Sequence, residues 1–111
     1  MAAVKVYRGD TWRRIWIVQD AHGAPLDLTG YTARLHVRDA DGLKLAEAST
    51  ADGRLVITPA AGRIELTMPA AVMAGLAPGS VRFDIELTSG GGEVTTLEQS
   101  TLVVREDMAR D

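Results

Sequence analysis

The stretch from residue 80 to 88, SVRFDIELT, alternates polar and apolar side chains without interruption. The apolar positions are Val81, Phe83, Ile85 and Leu87, and Phe83 is the only Phe of the chain. Because successive side chains of a β-strand point to opposite faces, this stretch has one apolar face and one solvated face. It predicts a central strand, with the remaining strands packed around the Phe83 face.

Composition narrows the class of protein further. The chain has 111 residues, of which 46% are hydrophobic, enough for one domain with its own core. It contains no Cys, which excludes disulfides, thiolate metal sites and a Cys nucleophile. The net charge of −3 disfavours nucleic acid as a partner, since domains that bind phosphates usually carry a basic excess. No apolar run approaches the roughly 20 residues needed to cross a bilayer, so we expect no membrane partner.

Alternation and turn residues predict the rest of the fold. Residues 31–38 and 63–68 alternate as cleanly as 80–88, and residues 69–76 predict a short helix that crosses between sheets. In the last strand, 93–105, Leu97 has an odd number whereas Leu102 and Val104 have even ones. Residues of opposite parity point to opposite faces of a regular strand, so this pattern indicates a bulge or a change of face. We predict an all-β fold: an immunoglobulin-like antiparallel β-sandwich of about seven strands with one short helix between strands. It should occupy residues 1–105 as a single domain, followed by a flexible tail at 106–111.

The segment 12–19 has large apolar side chains on both faces. Ile15 and Ile17 share one parity, whereas Trp12, Arg14 and Trp16 share the other. One interpretation is a central strand whose outer face is covered by a loop or by the amino-terminal segment. The other is that Trp12, Arg14 and Trp16 form an exposed surface for docking a partner, because Trp is enriched at interface anchors.

Side chains that could support catalysis or bind a metal are few and scattered. His22 lies in a predicted turn and His36 on a predicted solvent face, and neither has a second histidine at ligand spacing. The run Gly90–Gly92 lacks the Lys and Ser/Thr of a phosphate-binding loop. We therefore predict no catalytic residues, no metal ligands and no cofactor.

Three segments in order resemble a known group of proteins. They are YRGDT at 7–11, APLDLTGYTA at 24–33, and AGRIELT at 61–67 followed by an Ala-rich stretch and FDIEL at 83–87. Together they resemble small phage and prophage tail or baseplate-associated β-sandwich proteins, and are similar to the amino-terminal domains of phage baseplate upper proteins. The most specific piece is a crossover motif between sheets, made of Pro25, Leu26, Asp27, Leu28, Thr29 and Gly30. In it, Leu26 and Leu28 would plug the open end of the sandwich, Asp27 and Thr29 would bond nearby backbone, and Gly30 would permit a positive φ.

The resemblance implies a virion component, made in the bacterial host cytoplasm, that assembles with itself or with other phage structural proteins and is not an enzyme. A second hypothesis is a carbohydrate- or ligand-binding module with an exposed aromatic platform drawn from Trp12, Trp16, Tyr7 and Tyr31. A third, an enzyme, would require a pocket that gathers His22 or His36 with two carboxylates.

Overall fold

The computed structural model describes residues 3–106, which form two β-sheets packed face to face. The predicted flexible tail, apart from Glu106, lies outside the described residues. The strands are β1 (Ala3–Tyr7), β2 (Trp12–Ile17), β3 (Thr32–Arg38), β4 (Lys44–Ser49), β5 (Leu55–Thr58), β6 (Arg63–Met68), β7 (Gly79–Thr88) and β8 (Val94–Arg105). A 3₁₀ turn over Pro59–Ala61 separates β5 from β6, and the helix α1 (Ala70–Ala74) separates β6 from β7.

The five-stranded sheet has the order β1-β8-β7-β3-β4, so β7 lies at its centre. Phe83 and Ile85 of β7 are buried, as the alternation predicted. The register between β7 and β8 shifts between Ile85 and Glu86. That shift is the predicted bulge, and it lets Leu97 pack against the core although Leu97 has the opposite parity to Leu102 and Val104.

One pair of strands departs from the antiparallel prediction. β1 runs parallel to β8, with Val4 opposite Leu102 and Val6 opposite Val104. β1 is followed along the chain by a strand of the other sheet, so no hairpin constrains its direction. Turn residues alone could therefore not predict its orientation.

The three-stranded sheet has the order β2-β6-β5, which makes β2 an edge strand. The interpretation of residues 12–19 as a central strand with a covered outer face is therefore wrong. Ile15 and Ile17 point to solvent, and it is Trp12 that joins the core. Trp12 is the larger apolar group and finds an aromatic partner inside, so its parity faces inward.

Two connections join the sheets and close the ends of the sandwich. α1 leads from β6 to β7 and buries Met73, as its predicted crossing role requires. The segment 25–30 leads from β2 to β3 and buries Leu28. The core between the sheets includes Leu35, Ile64 and Leu66, all fully buried. No helix of residues 3–106 is long and apolar enough to cross a membrane.

Candidate functional site: the edge strand β2 and its inter-sheet ion pair

β2 presents two different faces. Its inward parity carries the three side chains predicted as an interaction surface, Trp12, Arg14 and Trp16. Burial decreases along this parity: Trp12 is buried, whereas Arg14 and Trp16 are partly exposed. The predicted triad thus lies between the sheets rather than on an outer surface.

Trp12 belongs to the hydrophobic core. It is 5% exposed, and its ring meets Phe83 edge to face with centroids 5.2 Å apart and planes at 76°. Such pairs stabilise a core beyond the area they bury. Trp12 is therefore neither an exposed docking residue nor part of an aromatic platform, and both of those predictions are wrong for it.

Arg14 and Trp16 converge on Glu98 of β8. The guanidinium donates from Nε to Glu98 Oε1 at 3.0 Å and from Nη2 to Oε2 at 2.7 Å. The Trp16 indole Nε1 donates to Oε1 at 2.9 Å, and the Ser100 hydroxyl donates to Oε2 at 2.8 Å. Four donors therefore surround one carboxylate, and among residues 3–106 no buried side-chain nitrogen or oxygen lacks a partner.

The electrostatics of this cluster favour an ionised Glu98. Burial is the largest single influence and would raise its pKa. The hydrogen bonds from Arg14, Trp16 and Ser100, together with the charge of Arg14, outweigh burial, so the pKa of Glu98 lies below its usual value of 4.5. The Arg14 guanidinium also stands 5.8 Å from the Trp16 ring centre and 5.9 Å from that of Phe83. The cluster is an ordered ion pair that fastens the β2 edge to the opposite sheet.

Glu98 is the residue that sequence reasoning missed. It shares the parity of Leu102 and Val104, so a charge on the apolar face of β8 was visible in the sequence. A charge at such a position requires a partner from the facing sheet. Arg14, the one charge on the Trp parity of β2, was the matching signal.

The outer face of the three-stranded sheet is partly apolar. Ile15 is 49% exposed, Ile17 54% and Val56 54%. Ile15 and Val56 flank Glu65 in one row across the sheet, because both are in register with it. This face combines three exposed β-branched residues with an open strand edge.

The crossover motif is held by local polar bonds. Asp27 accepts from the Thr29 backbone N–H at 3.0 Å and from the Thr29 hydroxyl at 2.7 Å, and these bonds lower its pKa. Leu28 is 1% exposed, and Leu26 packs against the core. Pro25 is exposed and forms an isolated antiparallel β-bridge with Gln19. Gly30 has a φ of 81°. These contacts are structural, and the segment positions β3 after the chain leaves β2.

The two histidines lie apart from each other and from the Arg14–Glu98 cluster. His22 is exposed in a turn, where its backbone N–H donates to Asp20. His36 lies on the outer face of β3, 3.7 Å from Glu47, and the Arg38 guanidinium contacts its Nδ1 at 3.3 Å. A cleft of about 300 Å³ beside Arg38 and Asp84 is lined by neither histidine. Within residues 3–106, no three His, Asp or Glu side chains are grouped to hold a metal ion.

Comparison with known proteins identifies a fold and no sequence family. No family model matches the chain, and no curated protein matches it. CopC from Methylosinus trichosporium OB3b is similar in structure, with a TM-score of 0.56 and 14% identity over 96% of this chain and 86% of that one. The N-terminal domain of phage TP901-1 ORF48 has a TM-score of 0.53 and 15% identity, over 94% of this chain and 85% of that domain. The Lin-41 filamin domain has a TM-score of 0.49 and 19% identity over 91% and 82%.

The class of protein is therefore an all-β, immunoglobulin-like sandwich, as the sequence predicted. Its structural neighbours include a phage N-terminal domain. At these identities the likeness establishes the fold alone.

Proposed function

We propose that this chain is a non-enzymatic structural module of a phage or prophage tail or baseplate, acting through protein–protein contacts. The observation that carries the proposal is the structural similarity to the phage N-terminal domain, which extends over 94% of this chain. The motifs at 7–11 and 24–33 add to it, because they resemble those of phage baseplate upper proteins.

The surface of the molecule supports a role in contacts rather than in chemistry. Ile15, Ile17 and Val56 expose apolar area beside an open strand edge, a feature that marks protein interaction sites. Arg14 of this edge is paired with Glu98, and the pair serves the packing of the sheets. On this proposal the partners are copies of the chain or other phage structural proteins, in a virion assembled in the bacterial cytoplasm.

The aromatic-platform alternative receives less support. Trp12 is buried and Trp16 is partly buried with its indole N–H engaged by Glu98. Tyr7 is exposed and Tyr31 partly buried, but they lie on different segments, at the end of β1 and just before β3. Within residues 3–106 the ring pair in contact is Trp12 with Phe83, inside the core.

The test is whether the chain is part of a particle. Phage particles from the source bacterium, purified by density gradient after induction, should contain the chain in a constant ratio to the other tail proteins by quantitative mass spectrometry. Detergent-free washing at high salt should leave that ratio unchanged. If the chain is found only in the particle-free fraction, the proposal is wrong.

A further inference from the structure

We propose that β2 pairs antiparallel with β2 of a second copy of this chain, with Ile15 on the twofold axis. The two three-stranded sheets would then join into one continuous sheet. This inference rests on the proposed role in protein contacts and deepens it, because it names the edge, the partner and the register.

β2 offers a regular, unpaired edge. Its six residues pair with β6 without a register shift, from Trp12 opposite Met68 to Ile17 opposite Arg63. On its other side, no backbone group of residues 3–106 bonds to residues 12–17. Such an edge presents a row of N–H and C=O groups that a further strand can satisfy.

The other three edges carry features that oppose pairing. β1 has the exposed Lys5 at its middle. β4 contains Lys44, and its register with β3 shifts next to Arg38. β5 has four residues and is followed directly by Pro59, which has no N–H to donate. Lysines, bulges, short strands and prolines are the means by which sheet edges avoid pairing.

Parity, charge and the length of β2 together select the register, because only an axis at Arg14 or Ile15 would oppose five of its six residues. A twofold axis perpendicular to the sheet keeps each face of the sheet continuous, so directly opposed residues must point to the same face. This is possible only if one residue of β2 lies opposite its own copy, with the axis between the two. An axis at Arg14 would place two guanidiniums directly opposite each other, which is destabilising. An axis at Ile15 places Ile15 opposite its own copy and Arg13 opposite Ile17, with no like-charged pair opposed.

The Ile15-centred register also covers what β2 leaves exposed. Ile15 and Ile17, each about half exposed in the single chain, would meet apolar atoms across the junction. On the inner face, Arg14 would lie opposite Trp16 of the second copy, adding a second ring to a guanidinium that already stands 5.8 Å from its own Trp16. The partly exposed ends of the Arg14–Glu98 pair would be shielded by the same contact.

Cysteine cross-linking tests the register directly, because the chain contains no Cys of its own. Opposed residues of antiparallel strands have Cα atoms about 4.5 or 5.5 Å apart, within the roughly 4.4–6.8 Å that a disulfide spans. The Ile15→Cys chain should therefore form a disulfide dimer under mild oxidation. Arg13→Cys and Ile17→Cys should each stay monomeric, since identical positions would lie about 14 Å apart along the strand. A mixture of those two variants should cross-link.

Val56→Cys is the matched control, because Val56 is as exposed as Ile17 but lies on the β5 edge. We expect Ile15→Cys to yield at least about tenfold more dimer than Val56→Cys, from the higher effective concentration of its thiols. Equal dimer yields from Ile15→Cys and Val56→Cys would overturn the proposal. So would a disulfide dimer of Arg13→Cys formed without the Ile17→Cys variant. Circular dichroism should show that each variant keeps the wild-type fold.

Light scattering over a concentration range provides the second measurement. Ile15→Lys would place two ammonium groups on the axis and should abolish the dimer, whereas Val56→Lys should leave it intact. A wild-type chain that stays monomeric at the highest soluble concentration overturns the dimer. The particle assay separates this failure from that of the proposed function: a monomeric chain found in particles overturns only the dimer, and absence of the wild-type chain from particles overturns the structural role.

Discussion

Arg14 and Glu98 lie 84 positions apart in the chain and form two parallel hydrogen bonds between the sheets, at 3.0 and 2.7 Å. Because two guanidinium nitrogens each bond a different oxygen of the carboxylate, the contact constrains the relative position of the two strands as well as attracting them. It joins the edge of the three-stranded sheet to β8 of the five-stranded sheet. The open edge of β2 is thereby held in place by a polar contact as well as by packing.

Replacing Arg14 should destabilise the fold. Arg14→Ala leaves the Glu98 carboxylate, only 21% exposed, with Trp16 and Ser100 as its remaining side-chain donors. Removing one partner of a largely buried pair costs several kcal/mol, and partial exposure reduces this to about 2 kcal/mol here. Urea unfolding at one fixed protein concentration measures the change.

Arg13→Ala is the control for this experiment, because Arg13 lies next along β2 on the exposed face. Its free energy of unfolding should stay within about 0.5 kcal/mol of wild type. The double variant Arg14→Met/Glu98→Leu should recover much of the loss, since it removes both charges together. Equal effects of Arg13→Ala and Arg14→Ala would contradict a structural role for the ion pair.

Acid should weaken the contribution of Glu98. Its pKa is lower in the folded chain than the usual 4.5, so the unfolded chain binds its proton first as pH falls. The stabilisation is therefore complete well above pH 4.5 and is lost as pH falls through the folded pKa. The difference in unfolding free energy between wild type and Glu98→Gln should be constant from neutral pH to about 5.5 and shrink below it. A difference that does not change in acid would show that the carboxylate charge contributes nothing.

His36 should add a second pH dependence at higher pH. Burial lowers its pKa below 6.5, and the charges of Arg38 and Lys44 lower it further, outweighing Asp84 and Glu47. The unfolded chain therefore binds the His36 proton more readily, and wild type should lose stability relative to His36→Gln as pH falls below 6.5. Thermal unfolding of both chains from pH 8 to 5 measures this. If wild type gained stability relative to His36→Gln as the pH fell from 8 to 5, the lowered pKa of His36 would be contradicted.

Two glycines with positive φ should respond differently to alanine. Gly62 has a φ of 60°, and a Cβ there would collide with the carbonyl oxygen of Val18 and lie 3.0 Å from that of Leu26. Gly30 has a φ of 81°, but a Cβ there would meet no atom within 4 Å. Gly30→Ala should therefore cost about 1 kcal/mol for the backbone conformation alone. Gly62→Ala should cost about 3 kcal/mol or more, because rigid backbone must also move. Denaturant midpoints compare the two, and equal costs would contradict the close approach at Gly62.

The sequence predicted most strand positions because period-two alternation is a local property. β6 matches its predicted range, and β7 extends the predicted one by a residue. The bulge opposite β7 was also visible, as a change of parity in β8. The parallel direction of β1 was not, since it depends on which strand of the finished sheet has a free edge.

The candidate site was predicted only in part, because β2 has apolar residues on both parities. Trp12, Arg14 and Trp16 were identified as a group, but the face they occupy depends on Phe83 and Glu98, more than 60 positions away. The alternation of side chains along one strand carries no information about such distant partners. Local pattern therefore determined the strands, the turns and the all-β class of this protein. Only the tertiary structure decided that the Trp parity of β2 faces inward, because the burial of an aromatic ring and the pairing of a charge require the opposite sheet to be in place.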